Sequence, residues 1–299
     1  MILGGSFMDE FTSRLVKLHH CKSASWKIIY QLLKIDPMLN SISPNYSSVY
    51  TPIDFPLNHS KFKTIKEELR SNKIDEQIQQ YKYDHIRIIS IFDDEYPPLL
   101  KEIYEPPWIL YTKGDLTLLK NATILAVVGS RESTAYSYQV IQHLFPQLIE
   151  KDIVIASGLA KGVDTLAHEG AIKYGGRTIA VIGGGFYHIY PESNKQLACS
   201  IMNQHLLISE YPPNTKPARW HFPMRNRIIS GISRGTLIIQ AKRRSGSLIT
   251  ANFAVQEGRE VFAVPGSVLS PHSDGANELI QQGAKLIRNA EDIIEELVY

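Results

Sequence analysis

The sequence has little of several things that would define a class of protein. It has two cysteines in 299 residues, Cys21 and Cys199, and they form neither a CxxC pair nor a metal-ligand spacing. This argues against a disulfide framework and predicts a reducing, cytoplasmic setting. No apolar run is long enough to span a membrane, and residues 1–9 are too short for a signal peptide. Met1 and Met8 are both compatible with the native start.

The short motifs of common nucleotide-binding and hydrolytic sites are also missing. The sequence has no GxxxxGK[ST] loop and no GxSxG elbow, and the turn GSRES lacks the later glycines of a GxGxxG fingerprint. Its histidines do not cluster with acids. His168 is interpreted as a buried, hydrogen-bonded side chain, with catalysis as the alternative. Asp164 is interpreted as a helix cap, with a general base as the alternative. We expect no catalytic residue, no metal site and no cofactor.

Acidic residues are absent from one long internal stretch, residues 211–256. The same stretch contains Lys216, Arg219, Arg225, Arg227, Arg234, Lys242, Arg243 and Arg244. It carries a charge of +8 in a chain whose formal net charge is +2, so the remainder sums to −6. Cations mixed with Trp220, His221 and Phe222 suit a polyanion with stackable bases. A basic surface face balanced by acids elsewhere is the alternative interpretation.

Hydrophobic periodicity predicts two domains, a small helical N-terminal module over residues 1–80 and a larger domain over residues 81–299. Apolar residues at helical spacing in 9–40 and a polar helical pattern in 61–82 flank a Ser/Pro-rich loop, residues 41–60. The following segment, up to about residue 116, predicts a strand, a short helix and a strand.

From Thr123 onward, short apolar strands alternate with helices. The strands are ILAVV, IVIA, TIAVI, HLLIS, TLIIQ and VFAV, the basic helix lies around residues 225–232, and a last helix and strand cover 278–287. Short links between them predict an α/β fold with an extended Rossmann-like, doubly wound, mainly parallel sheet. Ligands of such sheets bind outside the carboxyl ends of the strands.

Gly/Ser-rich turns follow five of these strands, at residues 129–131, 157–162, 183–185, 242–247 and 265–267. Small residues let backbone N–H groups approach an anion, and the helix that follows adds a favourable dipole. Arg131 can fork onto a phosphate. In RWHFPMRNR, Phe222 and Trp220 offer flat faces to a base. We expect at least one of Arg225 and Arg227 to pair internally, Arg227 before Arg225 because an apolar run follows it.

Ordered motifs over most of the chain resemble the DNA-processing protein A family (DprA, also called Smf). They are VGSR (128–131), SGLAKGVD (157–164), AH (167–168), YP (190–191), SEYPP (209–213), FPMRNRIISG (222–231), RSGSLITA (244–251), EGREVFAVPGS (257–267) and GAKLI (283–287). Order and spacing agree from about residue 84 to the end, whereas the first 80 residues match only loosely.

The resemblance implies a non-enzymatic single-stranded DNA binder that protects incoming DNA in natural transformation and loads the RecA recombinase. It implies a cytoplasmic homodimer without cofactor or membrane association. The implied DNA-binding residues are Gly129, Ser130, Arg131, Ser157, Gly158, Arg219, Phe222, Arg225, Asn226, Arg227, Ser245, Gly246 and Ser247, with Lys161 and Lys195 as weaker candidates. The implied dimer patch is Leu279, Ile280 and Leu286, with buried core as the competing interpretation.

Two positions depart from the family pattern. Gln240 stands where the strand usually ends in Glu, and Tyr187 stands where Asp often follows the glycine turn. Both changes remove negative charge near the implied pocket, and we expect them to alter hydrogen bonding without abolishing DNA binding.

A Rossmann-like nucleotide phosphoribohydrolase of the lysine-decarboxylase-like group is the alternative. Such enzymes need a PGGxGT loop with a carboxylate over the sugar, but the corresponding loop here is RSGSLIT and no Glu follows it until Glu257. Strand binding is therefore the favoured prediction, with micromolar or tighter affinity, little sequence preference and steep salt dependence. Arg131→Ala or Arg225→Ala is expected to weaken binding without unfolding the protein.

Overall fold

The computed structural model describes residues 8–43, 59–120 and 122–297. The chain divides into two compact units. The first runs to Ile91 and includes Pro107–Ile109, and the second holds Phe92–Pro106 and all residues from Leu110 onward. The domain boundary between residues 80 and 81 stays a prediction.

The first unit is helical, as its apolar periodicity predicts. It contains α1 (Glu10–His20), α2 (Trp26–Ile35), α3 (His59–Leu69), α4 (Lys73–Tyr83) and the short strand β1 (Arg87–Ser90). The Asp9 carboxylate caps α1 by accepting from the Thr12 N–H at 2.6 Å. Trp26 and Trp108 stack with ring centroids 5.1 Å apart. Most of the loop predicted over 41–60 lies outside the described residues.

A mixed, mainly parallel sheet forms the centre of the second unit, which confirms the predicted fold class. Its strands are β2 (Ile109–Gly114), β3 (Ile124–Val128), β4 (Val154–Ser157), β5 (Thr178–Ile182), β6 (Leu206–Ser209), β7 (Gly235–Ile238), β8 (Glu260–Ala263) and β9 (Lys285–Leu286). In the described part of this unit the order is β2-β6-β5-β4-β3-β7-β8-β9. Neighbours are parallel except β2, which is antiparallel to β6.

Helices connect the strands of this sheet. They are α5 (Pro98–Lys101), α6 (Ala135–Glu150), α7 (Val163–Lys173), α8 (Lys195–Gln204), α9 (His221–Gly231), α10 (Gly246–Gln256), α11 (Asp274–Gln281) and α12 (Glu291–Leu297). Among the residues described here, no helix is both long and apolar enough to cross a membrane.

Two helices start earlier than the sequence predicts, and one helix was not predicted. The basic helix α9 starts at His221 rather than near Arg225, because Pro223 falls in its first turn, where no intrahelical N–H bond is needed. The helix α11 starts at Asp274, not Glu278. The helix α12 was not predicted; it has acidic residues in its first turn, which the helix dipole favours, and buries the apolar side chains that follow.

The strand order reverses between β3 and β7. The chain leaves β3 toward β4 on one side, whereas β7 pairs with the other side of β3. Side chains of β3, α6, α7 and α12 share one hydrophobic core cluster. Right-handed crossovers that run in opposite directions along a sheet place their helices on its opposite faces. A crevice therefore opens between these helices at the carboxyl ends of β3 and β7.

Candidate nucleic-acid interface

A pocket of about 610 Å³ lies at this switch point. We call it the switch-point pocket. It is lined by Val128, Gly129, Ser130, Arg131, Glu132, Ala160, Asp164, Tyr190, Arg219, Phe222, Pro223, Arg225, Asn226, Lys242, Arg244, Ser245, Gly246, Ser247, Ile249 and Thr250. One wall is therefore the turn after β3, and the facing walls are α9 and the loop that joins β7 to α10.

Ten of the implied DNA-binding residues line this pocket and five do not. Those outside its lining are Ser157, Gly158, Lys161, Lys195 and Arg227. The Ser157 hydroxyl is buried and donates to the Val127 carbonyl at 2.6 Å. The Lys195 ammonium pairs with Glu192 at 2.8 Å. Lys161 is exposed outside the pocket.

Glycine is required where the strand-end turns touch. Gly162 has φ +80°, and a Cβ on it would lie 2.2 Å from the Ser130 carbonyl oxygen. The Ser130 N–H donates to the Gln240 carbonyl at 2.7 Å, and the Val163 N–H donates to the Ser130 carbonyl at 3.1 Å. A Cβ on Gly129 would lie 2.9 Å from the Gln240 carbonyl oxygen. The turns after β3, β4 and β7 therefore form one backbone framework under the pocket.

Gln240 lies behind the pocket and is buried. Its Oε1 accepts from the Thr134 N–H at 3.3 Å, the Thr134 hydroxyl at 3.0 Å and the Ser137 hydroxyl at 2.5 Å. The amide thus fastens the start of α6 to the end of β7. Tyr187 is 40 % exposed, lies outside the pocket lining, and donates its N–H to the Pro213 carbonyl at 3.1 Å.

Arg225 lies at the base of the pocket and is only 4 % exposed. Its guanidinium donates to two main-chain carbonyls, that of Gly158, just after β4, and that of Val181, within β5. The Nε–H donates to Asn226 Oδ1 at 3.2 Å. Burial lowers the pKa of Arg225 to about 10, so the side chain remains charged at neutral pH. Arg225 therefore holds the strand ends together as well as bringing charge to the pocket.

Asp164 is the buried counter-charge of this region. Burial raises the pKa of Asp164, while Arg225 and the turn amides oppose that rise. One carboxylate oxygen accepts from the Ala160 N–H at 3.4 Å. The N-cap position of α7 is Gly162, so the predicted helix-capping role of Asp164 is wrong. The carboxylate instead fastens the turn that precedes the helix.

Arg227 pairs internally, which confirms the prediction made for one of the two arginines. Its Nη2 lies 2.5 Å from Glu210 Oε1, and the side chains are 6 % and 15 % exposed. Arg227 follows Arg225 by two residues, so the two side chains leave α9 in different directions. Only Arg225 reaches the switch-point pocket.

An aromatic and cationic cluster forms the open side of the pocket. The Phe222 ring lies 5.6 Å from the Tyr190 ring and 5.8 Å from the Arg131 guanidinium carbon. Tyr190 is 54 % exposed. Sequence reasoning missed Tyr190 as a site residue, although its YP motif supported the family resemblance, because exposure of the ring is set by packing alone.

The start of α10 forms another wall of the pocket. Ser245 caps this 11-residue helix, its hydroxyl accepting from the Ser247 N–H at 3.4 Å. The dipole of this helix favours an anion there. Exposed cations of the lining, Arg131, Arg219 and Arg244, surround this wall. The arrangement suits a phosphate next to a stacked base.

His168 is a structural residue, as predicted. It is fully buried, and its Nδ1 lies 2.7 Å from the Thr178 hydroxyl, which donates to the Ile155 carbonyl at 2.7 Å. The Thr178 oxygen therefore accepts from Nδ1–H, which fixes the tautomer. Burial lowers the pKa of His168 to about 3, and the ring lies outside the pocket lining.

Glu257, at the C-terminus of α10, gives a testable pH dependence. Burial raises its pKa to about 7, against hydrogen bonding from Ser230 and attraction to Arg259 and Arg227. The folded state therefore binds more protons than the unfolded state between about pH 4.5 and 7, and stability falls as pH rises through that window.

We expect Glu257→Gln to raise the melting temperature at pH 8 by ~2–4 °C, which corresponds to a gain of about 1 kcal/mol in the free energy of unfolding. The gain should shrink at pH 5, where the folded-state carboxyl is already protonated. Thermal melts at both pH values measure this, with exposed Glu260→Gln as the control. An equal gain at both pH values would contradict the prediction.

The implied dimer patch is divided by burial. Leu279 is 9 % exposed and belongs to the core, whereas Leu286 is 39 % exposed and Ile280 is half-buried. Burial thus supports the core interpretation for Leu279. Ile280 and Leu286 stay predicted interface residues.

Comparisons with known proteins agree with this architecture. The sequence model of a family described as DNA recombination-mediator protein A matches residues 87–298. DNA processing protein DprA of Bacillus subtilis (strain 168) is 48 % identical over 266 residues, 88 % of each chain. DNA processing protein DprA of Streptococcus pneumoniae (strain ATCC BAA-255 / R6) is 47 % identical over 227 residues, 76 % of this chain and 80 % of that one.

Two solved structures extend the likeness to the fold. The X-ray structure of DprA from S. pneumoniae has a TM-score of 0.81 at 38 % identity, covering 98 % of this chain and 99 % of that one. DNA processing protein A from Helicobacter pylori, whose structure concerns its single-stranded DNA binding mode, has a TM-score of 0.64 at 32 % identity and covers 72 % and 97 %. The chain therefore belongs to the DNA-processing protein A family, described equally as DNA recombination-mediator protein A.

Proposed function

We propose that this protein binds single-stranded DNA in the switch-point pocket and acts on DNA taken up in natural transformation. One observation carries the proposal, namely exposed Arg131 lying over the Phe222 ring beside the start of α10. Phosphate capture and base stacking are then possible within one pocket. The related H. pylori protein, described for its single-stranded DNA binding mode, supports the choice of ligand.

Each wall of the pocket has its own part in this proposal. Arg131, in the turn at residues 129–131, and the start of α10 bind phosphate oxygens through the guanidinium and the helix dipole. Phe222 and Tyr190 stack on a base that leaves the strand. Arg225 positions the ends of β4 and β5. Asn226 joins α9 to α10 by donating to the Gly246 carbonyl at 3.2 Å.

Nucleotide hydrolysis is the second candidate, because Asp164 is a pocket carboxyl with a raised pKa. Three features favour strand binding over that activity. Asp164 is 5 % exposed, it accepts turn N–H groups, and it faces Arg225. The exposed acid of the lining, Glu132, is paired with Lys242 at 2.5 Å. Neither carboxylate is free to work on a sugar.

Fluorescence anisotropy with a labelled oligo(dT) 20-mer and a matched duplex tests the function. We expect micromolar or tighter single-strand binding that exceeds duplex binding. The slope of log K against log salt should be about −0.7 for each phosphate contacted. Nucleoside monophosphate hydrolysis is measured beside it with the wild type and Asp164→Asn. The second candidate would replace this proposal if the wild type hydrolysed the nucleotide without binding single-stranded DNA and Asp164→Asn lost the hydrolysis.

We further propose that the protein loads RecA recombinase onto the bound strand and acts as a homodimer. The family membership supports the first part, and the exposure of Leu286 together with the partial exposure of Ile280 supports the second. Sedimentation velocity of Leu286→Glu should show monomer where the wild type shows dimer.

RecA filament assembly on strands coated with single-strand binding protein should be faster when the wild type is added. An unchanged assembly rate would contradict loading.

The Glu132–Lys242 pair predicts a gain of affinity. Both side chains line the pocket, Lys242 lowers the pKa of Glu132, and the carboxylate takes the place of a phosphate on the ammonium. We expect Glu132→Gln to raise affinity for oligo(dT) by about 2- to 5-fold, since an exposed pair is weak. The salt slope should steepen by about 0.7 as Lys242 becomes available to DNA.

Glu296→Gln is the matched control, because Glu296 pairs with Lys285 at 2.7 Å outside the pocket lining. It should leave both affinity and salt slope unchanged. A similar gain in both variants would mean that net charge, not the pocket pair, limits binding.

A further inference from the structure

Trp220 is an exposed aromatic residue next to the pocket but outside its lining. Its side chain is 64 % exposed, and it directly precedes α9. The preceding residue, Arg219, and the second residue of α9, Phe222, both line the pocket. Single exposed aromatic residues are common on protein surfaces, so the position of Trp220 between two residues of the pocket lining is what distinguishes it.

The ring of Trp220 packs against two neighbouring rings at near-perpendicular angles. It meets His221 at 4.0 Å with an interplanar angle of 80°, and Tyr211 at 6.2 Å with 82°. These two rings stack on each other at 3.9 Å. These contacts hold the indole in place, while 64 % of the side chain remains exposed to solvent.

The loop that carries Trp220 is also fixed to the sheet. A Cβ on Gly184, just after β5, would lie 3.2 Å from atoms of Pro217, so the loop packs closely on the strand end. His221 is 4 % exposed, and its N–H donates to the Ala218 carbonyl at 3.0 Å. The indole is therefore presented by ordered backbone, which reduces the entropy lost when a ligand stacks on it.

We infer that Trp220 is a second base-stacking position, which takes a nucleotide adjoining the one held in the switch-point pocket. The inference rests on the proposed function and deepens it. The charge of the surroundings selects a nucleic acid rather than an apolar protein surface, because exposed Lys216 and Arg219 precede Trp220 in the same loop and residues 211–256 contain no acid. Stacking accepts any base, in keeping with low sequence preference. The strand then extends from Phe222 past Arg219 to Trp220.

Intrinsic fluorescence tests this position directly. The chain has three tryptophans, and the other two, Trp26 and Trp108, stack on each other in the first unit. Titration with oligo(dT) should quench part of the wild-type emission, and the quenching should be absent in Trp220→Phe. Oligo(dT) of increasing length should quench only once a strand that fills the pocket is extended beyond it. An abasic strand of equal length should bind more weakly and should not quench.

Affinity gives the second measurement. Trp220→Ala should weaken binding of the oligo(dT) 20-mer by about 5- to 100-fold, the range for one stacked base, and Trp220→Phe by much less. Tyr104→Ala removes an aromatic side chain that is 80 % exposed in the same unit, and should change nothing. An exposed position should leave the melting temperature near that of the wild type.

Two results would overturn the inference while leaving the proposed function intact. One is unchanged affinity of Trp220→Ala for the 20-mer, and the other is quenching that persists in Trp220→Phe or with the abasic strand. Absence of strand binding by the wild type itself would instead remove the proposed function.

Discussion

Replacing Arg131 by alanine is expected to lower the affinity for single-stranded DNA by about 10- to 50-fold, since a charged contact to phosphate is lost. Arg131 is exposed, lines the pocket, and lies 5.8 Å over the Phe222 ring. Its removal takes away a guanidinium that can bind phosphate bidentately and a cation–π contact that orders the stacking ring. Anisotropy with oligo(dT) at two salt concentrations measures the loss, and the salt slope should fall by about 0.7.

Stability should not change in this variant. An exposed arginine with no internal role contributes within about ±0.5 kcal/mol, so thermal melts of Arg131→Ala and wild type should coincide. Arg177→Ala is the matched control, because Arg177 is exposed and lies at the amino end of β5, whereas the pocket lies at the carboxyl ends of the strands. Equal loss of affinity in Arg131→Ala and Arg177→Ala would show that binding follows net charge. The single-stranded DNA would then bind outside the switch-point pocket.

Arg225→Ala is expected to destabilise the folded protein by ~3–5 kcal/mol, because it breaks a buried charge arrangement. The substitution leaves the carbonyls of Gly158 and Val181 without their guanidinium donor, and leaves Asp164 buried without its counter-charge. In a domain of this size the melting temperature should fall by ~6–20 °C. Affinity for oligo(dT) should also fall, since the ends of β4 and β5 support the pocket.

This result differs from what the sequence alone led us to expect for Arg225, which was weaker binding without unfolding. The reason is burial, since the side chain is 4 % exposed and hydrogen-bonded to the main chain. The double variant Arg225→Ala/Asp164→Asn separates the causes. If the uncompensated carboxylate matters, the double variant should lose less stability than the sum of the single losses by ~1–3 kcal/mol.

The control for Arg225 is Arg243→Ala, whose side chain is 78 % exposed and lies outside the pocket lining. Its free energy of unfolding should lie within about ±0.5 kcal/mol of the wild-type value. A normal melting temperature in Arg225→Ala would contradict the structural role assigned here and restore the simpler view of a DNA-contacting arginine.

Much of the fold could be predicted because its signals are local. The run ILAVV is apolar on every residue and TIAVI on all but Thr178, as is typical of strands buried on both faces, and Gly-rich turns mark their ends. The helix ends were less accurate. The sequence of α12 has acids before apolar residues, yet its stability depends on burial of Ile293 and Leu297 against the sheet, which no short window shows.

The candidate site divides in the same way. Gly129 and Ser130 were found because they follow a recognisable strand, and the charge of residues 211–256 was found by counting. Tyr190 was missed, and Arg225 was assigned to DNA without its structural part. Both errors concern side-chain burial, which depends on elements far apart in the chain, as Arg225 does on Gly158 and Val181.

The sequence by itself determined the strands, the turns that end them and the charge they carry, because these depend on residue type and on near neighbours. Tertiary structure decided which turns meet. Only the pairing of β3 with β7 brings residues 129–131 opposite the Ser245–Ser247 loop. Only packing distinguishes Arg131, free for a ligand, from Arg225 and Arg227, held by carbonyls and by Glu210. Three arginines with the same chemistry have different roles because each meets a different part of the fold.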